Sequence, residues 1–197
     1  MDKHTICLLN DSFPPIIDGV ANAVVNYAEN IEKHHGHAVV VTPAVPGADD
    51  SGFPFPVVRY PSIDTRRLVG YVAGYPFSPE TALRVREEKV ELLHTHCPIA
   101  SAILARSLRE VVDAPLVFTY HTKFDVDVAK LLRGRLLQES ALYVLASNIS
   151  ACDEVWVVSR GAGENLRSLG YEGAYTVMEN GVDVPRGRVS DEAIAAA

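Results

Sequence analysis

The chain has 197 residues, 48% hydrophobic and 22% charged, with a net charge of -7; this holds one sizeable α/β domain rather than two. The acidic balance argues against nonspecific nucleic-acid binding, which needs a basic face to neutralise phosphates. Cys7, Cys97 and Cys152 are dispersed, odd in number and without CxxC spacing, so neither a disulfide framework nor a zinc site is indicated, and reduced thiols in a cytoplasmic protein are expected.

The first residues lead into a short apolar run, Ile6 to Leu9, without a signal-peptide pattern or the length of a spanning helix. His4 to Asn10 reads as a buried strand, and Asp11 to Gly19 as the loop after it. A helix follows, with Val20, Val24, Tyr27 and Ile31 on one face, and Gly36 ends it. His37 to Thr42 is a second strand, parallel to the first in a βαβ unit. Pro43 to Pro61 is irregular, with a short strand at Val57 to Tyr60. Periodicity assigns no conformation to Arg66 to Phe77.

Helix resumes at Pro79 to Lys89, since proline suits a first helical turn. The alternation then continues: strand Glu91 to His96, helix Ile99 to Val111, strand Pro115 to His121, a long helix Val126 to Ser147, strand Glu154 to Ser159. A short helix, Gly161 to Leu169, is closed by Gly170, and a last strand, Tyr175 to Glu179, precedes Asn180-Gly181. Such repetition implies an open, mostly parallel α/β sheet covered on both faces. Residues 1–184 make the domain, and Pro185 to Ala197 reads as a cut linker or tail.

In an open parallel sheet, ligands bind beyond the carboxyl ends of the strands, which singles out three loops. Asn10 to Val20 runs into a helix start whose amides and dipole favour an anion such as a diphosphate, with Gly19 permitting close approach. That loop matches neither GxGxxG nor the P-loop, and a structural glycine is the alternative. In His94-Thr95-His96-Cys97-Pro98, alternation puts His94 and His96 on one face, where they either look into a cleft or pack; too few ligands surround them for a metal. In Thr119-Tyr120-His121-Thr122-Lys123-Phe124-Asp125, His121 can donate a hydrogen bond to a substrate hydroxyl or to charge on a leaving group, or serve structure. No nucleophilic triad is legible.

Six segments in order carry a resemblance: Asp11 to Val20, Gly36-His37, His94-Thr95-His96 with Pro98, Thr119 to Thr122, Asp153-Glu154-Val155 with Val158-Ser159, and Asn180-Gly181-Val182-Asp183. Together they resemble the N-terminal domain of family 4 retaining glycosyltransferases, one Rossmann-like half of the two-domain GT-B fold. The texture of His121 to Asp125 is closest to the branch that glucosylates diacylglycerol.

The resemblance implies that a complete enzyme transfers a hexose from a nucleotide sugar, such as UDP-glucose, to an acceptor such as a membrane lipid. It makes His121 the catalytic residue facing the transferred sugar, and puts Asp18 and Gly19 near the donor diphosphate and acceptor. Asp11, His96, Thr122, Lys123 and Asp125 would line the acceptor-side cleft, with no metal and no cofactor. The family's donor-gripping basic pair and E-x7-E motif have no counterpart after Asp183, so the C-terminal donor-binding domain is absent, and this chain alone is expected to be inactive. A single Gly19 stands where many members carry a pair.

A lipid acceptor implies peripheral contact with the inner face of the plasma membrane. The helix Val126 to Ser147 mixes Leu131, Leu132, Leu136 and Leu137 with Lys130, Arg133 and Arg135; the leucines read as core, with interfacial docking as the alternative. Leu68 to Phe77 is a second candidate contact. The competing readings are a transferase with a soluble acceptor and a nonenzymatic nucleotide-binding module.

Overall fold

A computed structural model describes residues 4–65, 72–121, 124, 128–129 and 132–181. The strands are β1 (His4–Leu9), β2 (Gly36–Pro43), β3 (Val57–Tyr60), β4 (Ser62–Asp64), β5 (Val72–Gly74), β6 (Leu92–Thr95), β7 (Leu116–Tyr120), β8 (Glu154–Val157) and β9 (Thr176–Val177). The helices discussed below are α1 (Gly19–His34), α2 (Pro79–Glu87), α3 (Ala100–Val112), α4 (Arg135–Ser150) and α5 (Arg160–Ser168). Seven strands form one sheet in the order β3-β2-β1-β6-β7-β8-β9, parallel at every pairing. β4 and β5 form a separate antiparallel pair. The fold is therefore the expected Rossmann-like α/β arrangement.

Alternation along β1 divides the core. Cys7 and Leu9 point to a cluster with Val85 of α2 and Leu104 and Leu108 of α3, whereas Leu8 points to a cluster with Val24, Ala28 and Ile31 of α1. A third cluster joins Phe118 and Tyr120 of β7 to Ile149 of α4 and Leu166 of α5. Both sheet faces are thus covered, which is why the strands are apolar runs rather than alternating ones.

Strand order reverses at the β1/β6 pair: the chain leaves β1 for α1 on one face and leaves β6 for α3 on the other. Loops diverging at such a switch point open a crevice at the carboxyl edge of the sheet.

Several expectations need correction. Gly36 begins β2 rather than closing α1, whose last turn is capped at His35; a Cβ at Gly36 would collide with the His4 carbonyl oxygen, so glycine is needed for strand approach. The buried face of α1 is Ala21, Val24, Ala28 and Ile31, which leaves Val20 and Tyr27 on its flank. The helix expected over Val126 to Ser147 does not run unbroken: residues 132–134 are not helical, Gly134 has φ 101°, and α4 starts at Arg135.

Leu136 and Leu137 are not core, being 76% and 58% exposed, because only the second half of α4, at Leu145, Ala146 and Ile149, packs on the body. Among the described residues, no helix is long and apolar enough to cross a membrane.

Candidate active site

Asn10, His96 and His121 each stand one residue beyond the end of β1, β6 and β7, where the ladder no longer dictates what a side chain must do. They converge on one cavity of about 630 Å³. Its polar side also includes Asp11, Asp18 and Asn180, and its apolar walls include Val20, Val72, Ala73, Ile99 and Phe124. All three loops singled out from sequence open on this rim. Thr122, Lys123 and Asp125 lie outside the described residues, as does the segment 185–197.

Asp11 and Asp18 both cap helices. Asp11 crosses to α3, whose own N-cap, Ile99, supplies no side-chain bond. The Asp11 carboxylate accepts the Ser101 N–H at 2.7 Å and the Ala100 N–H at 3.2 Å, as well as the Tyr60 hydroxyl at 3.0 Å. Burial pushes its pKa up, against the lowering effect of these bonds and of the Cys97 thiol. Asp18 caps its own helix, its Oδ1 accepting from Val20 N–H at 2.9 Å and Ala21 N–H at 2.8 Å. An incoming anion would have to compete for those amides with a carboxylate already in place.

The surrounding loops are held from several directions. Arg59 of β3 pairs with Asp50 at 2.7 Å and donates to the Pro14 carbonyl at 2.6 Å, tying the β1 loop to the sheet edge. Asn10 donates to the Ser12 carbonyl at 2.7 Å. Gly74 lets β5 lie against Tyr60, since a Cβ there would be 2.5 Å from that ring.

His94 and His96 do share a face. Their rings lie 4.1 Å apart, both contacting Tyr27 of α1, at 5.6 and 5.5 Å. His94 Nε2 bonds the Thr119 hydroxyl at 2.7 Å, a structural tie between β6 and β7. His96 Nδ1 meets His121 Nε2 at 2.9 Å, and His121 Nδ1 meets Asn180 Nδ2 at 3.4 Å. His96 Nε2 is buried without a partner.

Burial, with the charge of His121, pushes His94 down to about 3. Burial, then His94 and His121, holds His96 well below the usual imidazole range. Burial brings His121 to about 4 against the opposing attraction of Asp18. The stack is neutral at pH 7 and works through oriented hydrogen bonds rather than charge. Among the described residues, no group of three or more His, Cys, Asp or Glu is placed to hold a metal.

Sequence reasoning missed Ile99 as part of the cavity wall, and Val72, Ala73 and Phe124, which lay in candidate segments, carried no individual signal. Their residue types signal only core or loop, and only the fold brings them to one place. Asn180 carried a signal as part of the terminal Asn-Gly pair, though nothing local linked it to His121.

The family model described as Glycosyltransferase Family 4 matches residues 17–186. The chain is 25% identical over 194 residues to an alpha-monoglucosyldiacylglycerol synthase of Acholeplasma laidlawii, covering 91% of this chain and 46% of that protein. It is 21% identical over 140 residues to a synthase of the same name from Streptococcus pneumoniae, covering 71% and 32%. Against a GDP-mannose-dependent alpha-mannosyltransferase of Corynebacterium glutamicum it is 25% identical over 124 residues, covering 59% and 29%. The chain thus spans less than half the length of these relatives. A solved Listeria monocytogenes structure, titled a UDP-N-acetylglucosamine 2-epimerase, aligns with TM-score 0.47 and 12% identity over 87% of this chain and 44% of that one, too distant to carry an argument.

Proposed function

Since the chain belongs to glycosyltransferase family 4, we propose that it is the acceptor-side half of a retaining enzyme that transfers glucose from UDP-glucose to a membrane lipid such as diacylglycerol. The observation that carries this reading is the cavity at the switch point, where a polar rim of Asp18, His121 and Asn180 faces apolar walls of Val20, Val72, Ala73, Ile99 and Phe124. Apolar walls suit the glycerol and first acyl carbons of a lipid, and a few convergent polar groups fix its reacting hydroxyl. His121 hydrogen-bonds the transferred hexose, and the Asp18-Gly19 loop borders diphosphate and acceptor. Donor binding belongs mainly to a second domain, so closure of two halves brings the reactants together.

Membrane contact follows from the acceptor. Leu136, Leu137, Tyr143 and Val144 are exposed on α4, beside Arg133 and Arg135, a combination suited to an anionic lipid surface. Ile63, Tyr75 and Phe77 around the β4/β5 pair are exposed as well and form a second contact nearer the cavity.

The test is transfer by the complete reading frame, with labelled UDP-glucose and diacylglycerol in mixed micelles. A glucosylated lipid with retained anomeric configuration is expected, as is no product from the 197-residue chain alone. His121→Ala should lower kcat about 100-fold, the size seen when one oriented hydrogen-bonding group is removed. Transfer to soluble sugars in preference to lipid rejects the lipid reading. The mannosyltransferase relative supports a second donor reading, checked with GDP-mannose in the same assay. Tight binding of UDP-glucose by this chain alone would instead favour the nonenzymatic nucleotide-binding module.

A further inference from the structure

We infer that His96 is a positioning residue that fixes His121 in the tautomer protonated at Nε2, so that the Nδ1 lone pair belongs to the cavity and the site takes a neutral hydroxyl rather than an anion. The tautomer follows from the geometry alone; only the identity of the hydroxyl rests on the proposed function.

The wiring has two self-consistent forms. One proton must lie between His121 Nε2 and His96 Nδ1, which are 2.9 Å apart. If His121 provides it, His121 Nδ1 is an acceptor and His96 carries its proton on Nε2. If His96 provides it, His121 carries its proton on Nδ1 and His96 Nε2 is a bare lone pair.

The Asn180 contact selects the first form. The Asn180 atom near His121 Nδ1 is the amide nitrogen, which donates and cannot accept. The buried His96 Nε2 has no polar partner in either form.

The cavity consequently presents an acceptor at His121 Nδ1, a donor at the Asn180 amide, and the negative charge of Asp18. The 3.4 Å contact between Asn180 and His121 is long for a hydrogen bond, so a hydroxyl that donates to Nδ1 and accepts from the amide improves on it. A carboxylate or phosphodiester oxygen has no proton to give to Nδ1. The selectivity is built into which ring nitrogen holds the proton, and His96 decides that.

The experiment is long-range proton–nitrogen NMR of the histidine rings in the 15N-labelled chain at pH 7. His121 should show a pyridine-type Nδ1 and a pyrrole-type Nε2, and His96 a pyridine-type Nδ1. A pyrrole-type Nδ1 on His121 overturns the inference. His96→Asn, which keeps an oxygen acceptor near the place of Nδ1, should retain the His121 signature, while His96→Leu should move it to values averaged over two tautomers. Backbone amide spectra confirm that each variant is folded, and an unchanged His121 in folded His96→Leu removes His96 from the role. Titration with methyl α-glucoside should move His121 Nδ1 more than acetate does at pH 7; an equal or larger response to acetate refutes the preference for hydroxyls. These signatures need no turnover, so a failed transferase assay leaves them intact.

Discussion

Replacing Asp11 separates a structural carboxylate from a ligand-binding one. In Asp11→Ala the α3 start loses acceptors for the Ser101 and Ala100 amides, and the fully buried Tyr60 loses the partner of its hydroxyl. A lost helix cap costs about 0.5–2 kcal/mol, and an orphaned buried hydroxyl adds about 1–3 kcal/mol. Charge assistance on the 2.7 Å bond brings the expected loss to roughly 3–5 kcal/mol, a large part of the ~5–15 kcal/mol of an ordinary domain.

Asp11→Asn should be milder, near 1–2 kcal/mol, since the retained oxygen can still serve Ser101 and Tyr60, which both bond Oδ1, whereas the Ala100 contact at Oδ2 becomes donor against donor. Tyr60→Phe should cost about 1 kcal/mol by itself and little further in Asp11→Ala, because the hydroxyl has then already lost its acceptor. Urea unfolding followed by circular dichroism reads all four. If Asp11→Ala stays within about 0.5 kcal/mol of the parent, inside the usual range for surface changes, the capping argument fails and Asp11 returns to the set of ligand contacts.

Gly36→Ala should destabilise by about 1–3 kcal/mol, the usual scale of overpacking, because its Cβ meets the His4 backbone; in Gly19→Ala nothing lies within 4 Å of the new methyl, so a gain of up to ~1 kcal/mol from the unfolded state is expected, and thermal melts compare the two. Stability should fall as pH drops below the ordinary imidazole value near 6.5. The unfolded chain takes up protons there, while folded His94 and His121 resist until about 3 and 4. Each contributes up to ~1.4 kcal/mol per pH unit in that window and nothing above it, and His121→Gln should flatten the slope measured by denaturant titration at stepped pH. Reversing Arg133 and Arg135 to Glu should reduce co-sedimentation with vesicles containing anionic lipid; undiminished binding removes the start of α4 as the contact.

The sheet was legible because it is made of repetitive material: apolar runs such as Val39-Val40-Val41 punctuated by turns admit one period and one topology. Loop positions at strand ends were legible for the same reason, which is why Gly19, His96 and His121 could be placed on one rim before any coordinates. Contacts between distant segments were not. The pairing of Asp11 with α3 spans 90 residues, and neither its residue type nor its neighbours announce a cap for another helix. The leucines of α4 misled in a different way, since helical periodicity reports that an apolar face exists but not whether the body of the protein reaches it. At Gly36 a familiar role, helix termination, hid the demand of neighbouring strands for a residue without a side chain.

Tyr27 has consequences beyond its own contacts. It sits on the same rigid rod that begins at Asp18 and Gly19, and its ring braces the imidazoles of His94 and His96. With an axial rise of ~1.5 Å per residue, it lies about 12 Å along the helix from Gly19. A displacement of the first turn would therefore be passed to the histidine stack through this ring, which ties the two sides of the crevice to one helix. Softening that brace with Tyr27→Ala should loosen alignment at His121 although residue 27 never meets the ligand.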